Sequence, residues 1–220
     1  MSTRSADYID AIDHLPAEGM LVLQDVSWQD YEQLLEDLGA RPDLRGTYDA
    51  GRLEILMISR KHDKYKRVIE QIIDILAEEF DLEMETFGSA TWKRERDLKG
   101  IEGDSCYYIK NAKRVIGRDD DIDTNVDPLP DLFIEVEVTH RSLRKFPIYA
   151  AFGVPEIWRY DVKHKQALIY ELRENSYAEV LSSPSFPILT GEVLANFIEQ
   201  FKTSGSRIAR TAFRQWIKTK

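Results

Sequence analysis

The chain has 220 residues, of which 43% are hydrophobic and 10% aromatic, so it can bury a sizeable core and is not a disordered protein. Its length favours one domain with extensions, although two small domains would also fit. A net charge of −9 and a pI of about 5.1 argue against a protein that coats DNA through a basic surface. They do not exclude a nuclease, because carboxylates that await metal ions also lower the net charge.

The single cysteine, Cys106, cannot form an intrachain disulfide and is typical of a reducing interior. Residues 1–16 lack the basic segment and apolar run of a signal peptide. No stretch approaches the roughly 18 apolar residues of a membrane helix. These features predict a soluble, cytoplasmic protein with no membrane partner.

The first part of the chain begins with a polar lead over residues 1–20, for which we expect irregular structure. Ser27 and Gly39 are typical N-cap and stop residues for a short helix between them. Residues 47–59 predict a hairpin that turns at Asp-Ala-Gly. The clearest helix spans residues 62–80, where apolar side chains recur at helical spacing.

The middle of the chain predicts three strands, over residues 82–95, 103–110 and 131–139, the first with a Gly-Ser interruption. An acidic segment over residues 118–130 separates the last two and is most simply a solvated loop. A helix is predicted over residues 142–153. Because Pro147 lies inside its pattern, this helix could begin near Lys145 with the proline in its first turn.

The last part predicts a strand, an antiparallel pair and two closing helices, over residues 156–162, 166–172, 177–183, 193–202 and 207–218. The central order of helix, three strands, helix and strand predicts an α/β fold in which helices flank a mixed β-sheet. We divide the chain into an N-terminal extension with its helix, a central domain and a basic C-terminal helix, at residues 1–45, 46–201 and 202–220.

Two carboxylates share one face of the strand over residues 131–139. Side chains alternate along a strand, so Glu135 and Glu137 lie on the side opposite Ile134 and Val136. Buried like charges are costly unless a divalent cation or a basic partner compensates them. An exposed polar face on a half-covered sheet would explain the pattern equally well.

Asp104 lies near the start of an earlier strand, and adjacent strands could bring it to Glu135. Hard cations such as Mg²⁺ prefer oxygen sites of this kind, although an aspartate beside a glycine is more often part of a turn. Lys145 follows Glu135 by ten positions and could fold back over the strand. There it could orient or deprotonate a metal-bound water, whereas a lone lysine is usually a solvated surface group.

Four segments resemble the Uma-two family, a bacterial group of restriction-endonuclease-like nucleases. They are GRLEILM followed by His62, then GIEGDSCYYI, PDLFIEVEVT and KFPIYAAFGVPEIWRYD. The last is the most specific, because the family places a lysine four residues before a tyrosine and follows it with Gly-Val-Pro-Glu and a Trp-containing strand. The resemblance runs from about Tyr48 to Phe201.

The resemblance implies a restriction-endonuclease-like fold of the PD-(D/E)XK superfamily, with a core order of αβββαβ. It makes Asp104 the first metal aspartate and Glu135 the central acidic residue. Lys145 matches the family's helix lysine and replaces the strand lysine, whose position holds Glu137. A second departure is Gly103, where the family usually has proline.

Glu54 and His62 match acidic and histidine positions of the family, which makes both candidate catalytic residues and Glu54 a third candidate metal ligand beside Asp104 and Glu135. Each has a simpler explanation from the residues alone. Glu54 points away from Leu53 and Ile55, as an exposed strand residue would. His62 begins a long helix, where a histidine is more often a capping or surface residue.

Two basic segments are candidates for phosphate contacts. Residues 207–218 carry a helical stripe of Arg207, Arg210, Arg214 and Lys218, opposite an apolar side. Residues 93–99 form a second basic cluster. An ordinary solvated helix face is the competing interpretation of the stripe.

Together these observations predict a Mg²⁺-dependent endonuclease that hydrolyses DNA, with Mn²⁺ as a substitute ion and Asp104, Glu135 and Lys145 at its centre. The alternative is a catalytically inactive module on the same fold that binds nucleic acid or protein. We also expect a homodimer, because cutting two strands is commonly achieved by two-fold pairing.

Overall fold

The computed structural model describes residues 3–118, 122–139 and 142–220. Parts of the predicted acidic loop (119–121) and of the segment before Lys145 (140–141) lie outside this range. Within it there are six α-helices: α1 Thr3–Asp13, α2 Trp28–Leu38, α3 Arg60–Glu79, α4 Phe146–Phe152, α5 Gly191–Ser204 and α6 Ser206–Ile217. None of them is long and apolar enough to cross a membrane.

The strands of the described residues form two sheets. A five-stranded antiparallel sheet has the order β1-β3-β2-β6-β5, from Met20–Leu23, Arg52–Met57, Leu44–Asp49, Lys99–Glu102 and Thr91–Arg94. A six-stranded sheet has the order β11-β10-β9-β8-β7-β4, from Ser176–Val180, Gln166–Arg173, Glu156–Asp161, Leu132–Glu137, Ser105–Tyr108 and Glu85–Gly88. Strands β8 and β9 pair in parallel across the α4 crossover, and the other pairings are antiparallel.

The α/β fold with a mixed sheet flanked by helices is confirmed. Along the six-stranded sheet the elements follow the order α3, β4, β7, β8, α4 and β9, which is the predicted αβββαβ core. The hairpin of β2 and β3 is confirmed as well, and it turns through Ala50 and Gly51 at φ 46° and 95°. Two positive φ values are typical of the tightest two-residue hairpin turns.

Two expectations about local structure are wrong. The polar lead is not irregular: it contains α1, which buries Ile12 against α2, and β1 begins at its last residue, Met20. The strand expected over 82–95 with a Gly-Ser interruption is two strands in different sheets, because Gly88 turns the chain at φ +57°.

The described part of the acidic segment is mostly exposed or half-buried, as expected of a solvated loop, and Val126 is 74% exposed. It is anchored at Thr124, which is buried and whose carbonyl accepts hydrogen bonds from the Arg94 guanidinium at 2.7 and 3.1 Å.

The six-stranded sheet is covered on both faces. Leu132, Ile134 and Val136 of β8 pack in one core with α3, α5 and α6. On the other face, Phe133 of β8 packs in a second core with α4 and with β5 and β6 of the five-stranded sheet. A third core lies between that sheet and helices α1 and α2. Strand β8 is therefore central and buried from both sides.

Helix α2 packs closely on the five-stranded sheet at one glycine. A Cβ atom added to Gly100 would lie 2.3 Å from the hydroxyl of the buried Tyr31, whereas one added to Gly46 would meet only Glu102, at 3.7 Å. We expect Gly100→Ala to destabilise the fold by about 1–3 kcal/mol through overpacking. Gly46→Ala, on the neighbouring strand, is the matched control and should cost less. Urea denaturation measures both, and equal losses would contradict the close contact.

Candidate active site

The predicted acidic pair lies where β7 meets β8. In the antiparallel register Ser105 opposes Ile134, so Asp104, one residue earlier, opposes Glu135. The Asp104 N–H continues the ladder by donating to the Ile134 carbonyl at 3.1 Å. Opposed residues of a ladder project from the same face, so the two carboxylates lie side by side, as the sequence predicted.

The acidic face of β8 is not a solvated surface. Glu135 and Glu137 are 2% and 5% exposed, and they share their face with Phe133, which is fully buried beneath α4. The exposed-face interpretation of the sequence is therefore wrong. Each buried carboxylate needs a compensating charge, and the fold supplies a basic side chain to each.

Asp104 is held by groups from three elements. Arg45 of β2 donates through Nε to Oδ1 at 3.2 Å, and the Val136 N–H donates to Oδ2 at 2.7 Å. The Nε2 atom of His62 lies 3.0 Å from the same Oδ2. Burial by itself would raise the pKa of Asp104, but His62, Lys145 and Arg45 hold that pKa well below its ordinary value. Asp104 is therefore a carboxylate throughout the physiological pH range.

Glu135 is held by two side chains one helical turn apart. The Nζ atom of Lys145 donates to Oε1 at 3.1 Å and to Oε2 at 2.9 Å, and the Tyr149 hydroxyl donates to Oε1. Lys145 ends a short 3₁₀ turn, Ser142–Lys145, and Tyr149 lies four residues later in α4, which brings both side chains to the same carboxylate.

The ionisation of this group follows from its burial and neighbours. Burial raises the pKa of Glu135, and the Asp104 charge raises it further, while Lys145 opposes both. Burial lowers the pKa of Lys145, but Glu135 and Asp104 outweigh it and raise that pKa above its ordinary value. Lys145 is therefore a cation at neutral pH.

Glu137, at the position of the superfamily lysine, is neutralised separately. Arg159 of β9 donates through Nη2 to Glu137 Oε2 at 2.6 Å, and both side chains are buried. In the parallel register Arg159 lies beside Glu135. The cation that compensates Glu137 thus comes from the neighbouring strand.

His62 and Glu54 line the same cleft as the acidic pair. His62 is 1% exposed, so the surface interpretation is wrong; the helix is capped instead by Ser59, whose Oγ accepts the His62 backbone N–H. Glu54 is mostly shielded and accepts both Nε and Nη2 of Arg52 through its Oε1. Across residues 3–118, 122–139 and 142–220, no three His, Cys, Asp or Glu side chains are already arranged to hold an ion together.

The two basic segments lie partly in internal contacts. Arg214 of α6 forms ion pairs with Glu78 and Glu79 of α3, whereas Arg207 and Lys218 of the same stripe are exposed. In the second cluster, Lys93 pairs with Glu32 at 2.8 Å and Arg94 is buried. These contacts favour a structural role for Arg214, Lys93 and Arg94 over binding of phosphate.

Arg45, Tyr149 and Arg159 carry contacts that the sequence analysis did not assign. Tyr149 could have been found, because it follows Lys145 by one helical turn. Arg45 and Asp104 are 59 positions apart and in different sheets, and no local pattern links them. The structure also explains Gly103, since a Cβ there would lie 2.7 Å from the Phe133 ring and 2.9 Å from the Tyr149 hydroxyl. Proline at this position would displace the groups that hold Glu135.

The geometry is that of an acidic pair and a lysine on a restriction-endonuclease-like core, and a comparison with family models agrees. Uma2, described as "Putative restriction endonuclease", matches residues 28–200. The chain belongs to the Uma2 family.

One solved structure similar to this Uma2 chain comes from Anabaena variabilis ATCC 29413 and is described as a "putative nuclease belonging to DUF820". The TM-score is 0.51 at 15% identity, and the match covers 76% of this chain and 97% of that one. At this identity the likeness shows the shared fold. No curated protein matches the chain.

The Uma2 site depends on Arg45, because it is a buried cation on Asp104. We expect Arg45→Met to destabilise the fold by roughly 3–5 kcal/mol, the usual cost of leaving a buried charge without its partner. Arg41→Met is the control: Arg41 pairs with Asp13 and Asp43 at 2.9 and 3.0 Å but is partly solvent-exposed, so its loss should cost about 1 kcal/mol or less. Equal losses in urea denaturation would mean that Arg45 does not support Asp104.

Proposed function

We propose that this protein is a metal-dependent endonuclease of the PD-(D/E)XK type, which hydrolyses phosphodiester bonds in DNA. The observation that carries the proposal is the opposition of Asp104 and Glu135 on β7 and β8, with Lys145 on Glu135. Membership of a restriction-endonuclease-like family supports nuclease chemistry. We propose in addition that the ion is divalent, that the substrate is DNA, and that Asp104, Glu135 and Lys145 have the roles given below.

The chemistry of the acidic pair suits Mg²⁺ or Mn²⁺. A carboxylate has about four lone-pair sites. Asp104 accepts contacts from Arg45, Val136 and His62, and Glu135 accepts two from Lys145 and one from Tyr149, so each carboxylate retains acceptor capacity. Two adjacent carboxylates with remaining capacity are the ligands such a cation takes, usually with several waters. Glu54 as a third ligand stays a prediction.

Asp104 and Glu135 would hold the ion, which when bound supplies positive charge to the phosphate and lowers the pKa of a coordinated water. Beside Glu135 the pKa of Lys145 is raised, so Lys145 would act as a hydrogen-bond donor that orients water or a phosphate oxygen. Burial and the Glu135 charge keep the pKa of Tyr149 well above its ordinary value, so its hydroxyl remains a donor that fixes the Glu135 carboxylate.

The inactive-module alternative also has an observation in its favour. Asp104 and Glu135 are already compensated by Arg45 and Lys145, so the fold does not need an ion for charge balance. A protein that retained the fold but had lost cleavage would have this arrangement. Metal binding and cleavage therefore have to be measured separately.

The first test is metal binding by calorimetry at neutral pH. We expect wild type to bind Mg²⁺ and Mn²⁺ and Glu135→Gln to lose binding, because it removes a ligand charge. Lys145→Met should bind at least as tightly as wild type, since it removes a competing cation. Glu54→Gln decides whether Glu54 is a ligand. Unchanged binding in Glu135→Gln would contradict the proposed site.

The second test is cleavage of plasmid and oligonucleotide DNA with Mg²⁺ or Mn²⁺, and with EDTA as the blank. We expect Lys145→Met to lower the rate by roughly 10²–10⁴-fold, the usual contribution of a group that handles protons or water. Because the change also leaves Glu135 without its cation, cleavage is measured at a temperature where a thermal melt shows that the variant is still folded. The matched control is Lys66→Met: Lys66 pairs with Glu70 and is 14% exposed, against 13% for Lys145. It should cleave like wild type.

Wild-type protein that cleaves nothing with any divalent ion would favour the inactive module. Full activity in Lys145→Met would remove the role of the lysine. The oligomeric state remains a separate prediction: light scattering at high concentration should show a homodimer if both strands are cut together, and a monomer would leave nicking as the activity.

A further inference from the structure

The mouth of the cleft carries a group of charges that the acidic pair does not use. Arg52 and Glu54 lie two residues apart on β3 and point the same way, with Arg52 Nε 3.0 Å from Glu54 Oε1. Arg144 comes from the 3₁₀ turn that ends in Lys145, and its Nη1 lies 3.9 Å from the same oxygen. One shielded carboxylate therefore faces two guanidinium groups.

The floor of the cleft is balanced in charge, whereas its mouth carries an excess of positive charge. On the floor, Asp104 and Glu135 are matched by Arg45 and Lys145. At the mouth, Arg52 and Arg144 together exceed Glu54 by one positive charge, because the nearby Asp49 is paired with Lys99. This local excess can attract an anion to the opening even though the whole chain has a net charge of −9.

The two guanidinium groups are placed to act outwards. The Glu54 side chain is only 13% exposed, while that of Arg144 is 76% exposed. The carboxylate lies beneath and contacts Arg52 through Nε and Nη2, which fixes the plane of that group. A guanidinium held in this way still presents further N–H donors, whose fork matches two oxygens of a phosphate.

The same residues lie where two adjoining hollows meet. The first contains Asp104 and Glu135, and the second is lined by Asp49, Arg52 and Ile148. Glu54 and Arg144 line both. An extended ligand that follows both hollows would therefore pass beside Arg144 and reach Arg52.

We propose that Arg52 and Arg144, positioned by Glu54, bind a phosphate of the polynucleotide backbone next to the phosphate that lies over Asp104 and Glu135. The ligand is a phosphodiester chain, because two hollows that meet beside a cationic group suit consecutive phosphates. This inference rests on the proposed nuclease function and assigns the side of the site along which the strand runs. It also gives Glu54 the role of a positioning residue.

The test measures binding without cleavage. Fluorescence anisotropy of a labelled oligonucleotide in EDTA compares wild type with Arg144→Gln, Arg52→Gln and Arg144→Lys. We expect each glutamine variant to weaken binding roughly tenfold, as for loss of one charge-assisted contact, and to reduce the salt slope by about 1. Arg144→Lys should keep the salt slope but not the full affinity, because lysine lacks the fork.

The matched control is Arg173→Gln. Arg173 donates through Nε to Glu171, two residues away, at 3.1 Å, as Arg52 does to Glu54, and its side chain is 63% exposed. It lines neither hollow. Arg173→Gln should bind the oligonucleotide as tightly as wild type. If it loses as much affinity as Arg144→Gln, then binding depends only on the net charge of the protein, and the proposed role of Arg52 and Arg144 is wrong.

A second arm identifies the phosphate itself. Oligonucleotides with a single uncharged methylphosphonate are compared along the strand. At one position the replacement should weaken binding to wild type but not to Arg144→Gln, because the variant already lacks the contact with that phosphate. Inorganic phosphate should compete weakly, since it provides one anion where the chain provides several. The proposal is overturned if, at every position, the methylphosphonate lowers the affinity of Arg144→Gln as much as that of wild type. It is also overturned if wild type does not bind the oligonucleotide.

The outcome is independent of hydrolysis. If wild type binds the oligonucleotide in EDTA, the arginine variants bind it more weakly, and no protein cleaves DNA, then phosphate binding by Arg52 and Arg144 stands and the proposed function fails. If wild type cleaves DNA with Mg²⁺ and the arginine variants bind and cleave DNA as wild type does, then the proposed function stands and phosphate binding by Arg52 and Arg144 is wrong.

Discussion

Asp104 and Glu135 lie side by side in the centre of the fold, where they are 1% and 2% exposed, and each therefore needs a positive partner. Those partners come from separate elements: Arg45 from the second sheet, His62 from α3 and Lys145 from the turn before α4. The two sheets and two helices meet at one buried charge cluster. Because leaving a buried charge unpaired is costly, their relative placement depends on it.

The same arrangement decides how the site can act. In the proposed mechanism a divalent ion would use the carboxylate on which Lys145 lies, so its binding would exchange one cation for another. While Lys145 lies on Glu135, its pKa is raised and its ammonium group is a hydrogen-bond donor. Glu137 takes no part in this exchange, because Arg159 neutralises it from β9. The loss of the strand lysine is thus compatible with a complete site built around Lys145.

Much of this could be predicted from the sequence, because the relevant signals are local. Helical spacing gave α3, turn chemistry gave the β2–β3 hairpin, and the alternation in β8 placed Glu135 and Glu137 on one face. The rest depends on contacts between distant parts of the chain. Arg45 reaches Asp104 only once the sheets have packed, and Gly88 sends β4 and β5 into different sheets. Neither event leaves a periodic pattern.

The most direct test of the account is a crystal structure of the protein soaked in Mn²⁺, with anomalous scattering used to locate the ion. We expect an anomalous peak for one ion bound by the Asp104 and Glu135 carboxylates, with Lys145 Nζ moved away from Glu135 towards solvent. An anomalous map without a peak at this pair, with Lys145 still bound to both Glu135 oxygens, would contradict it.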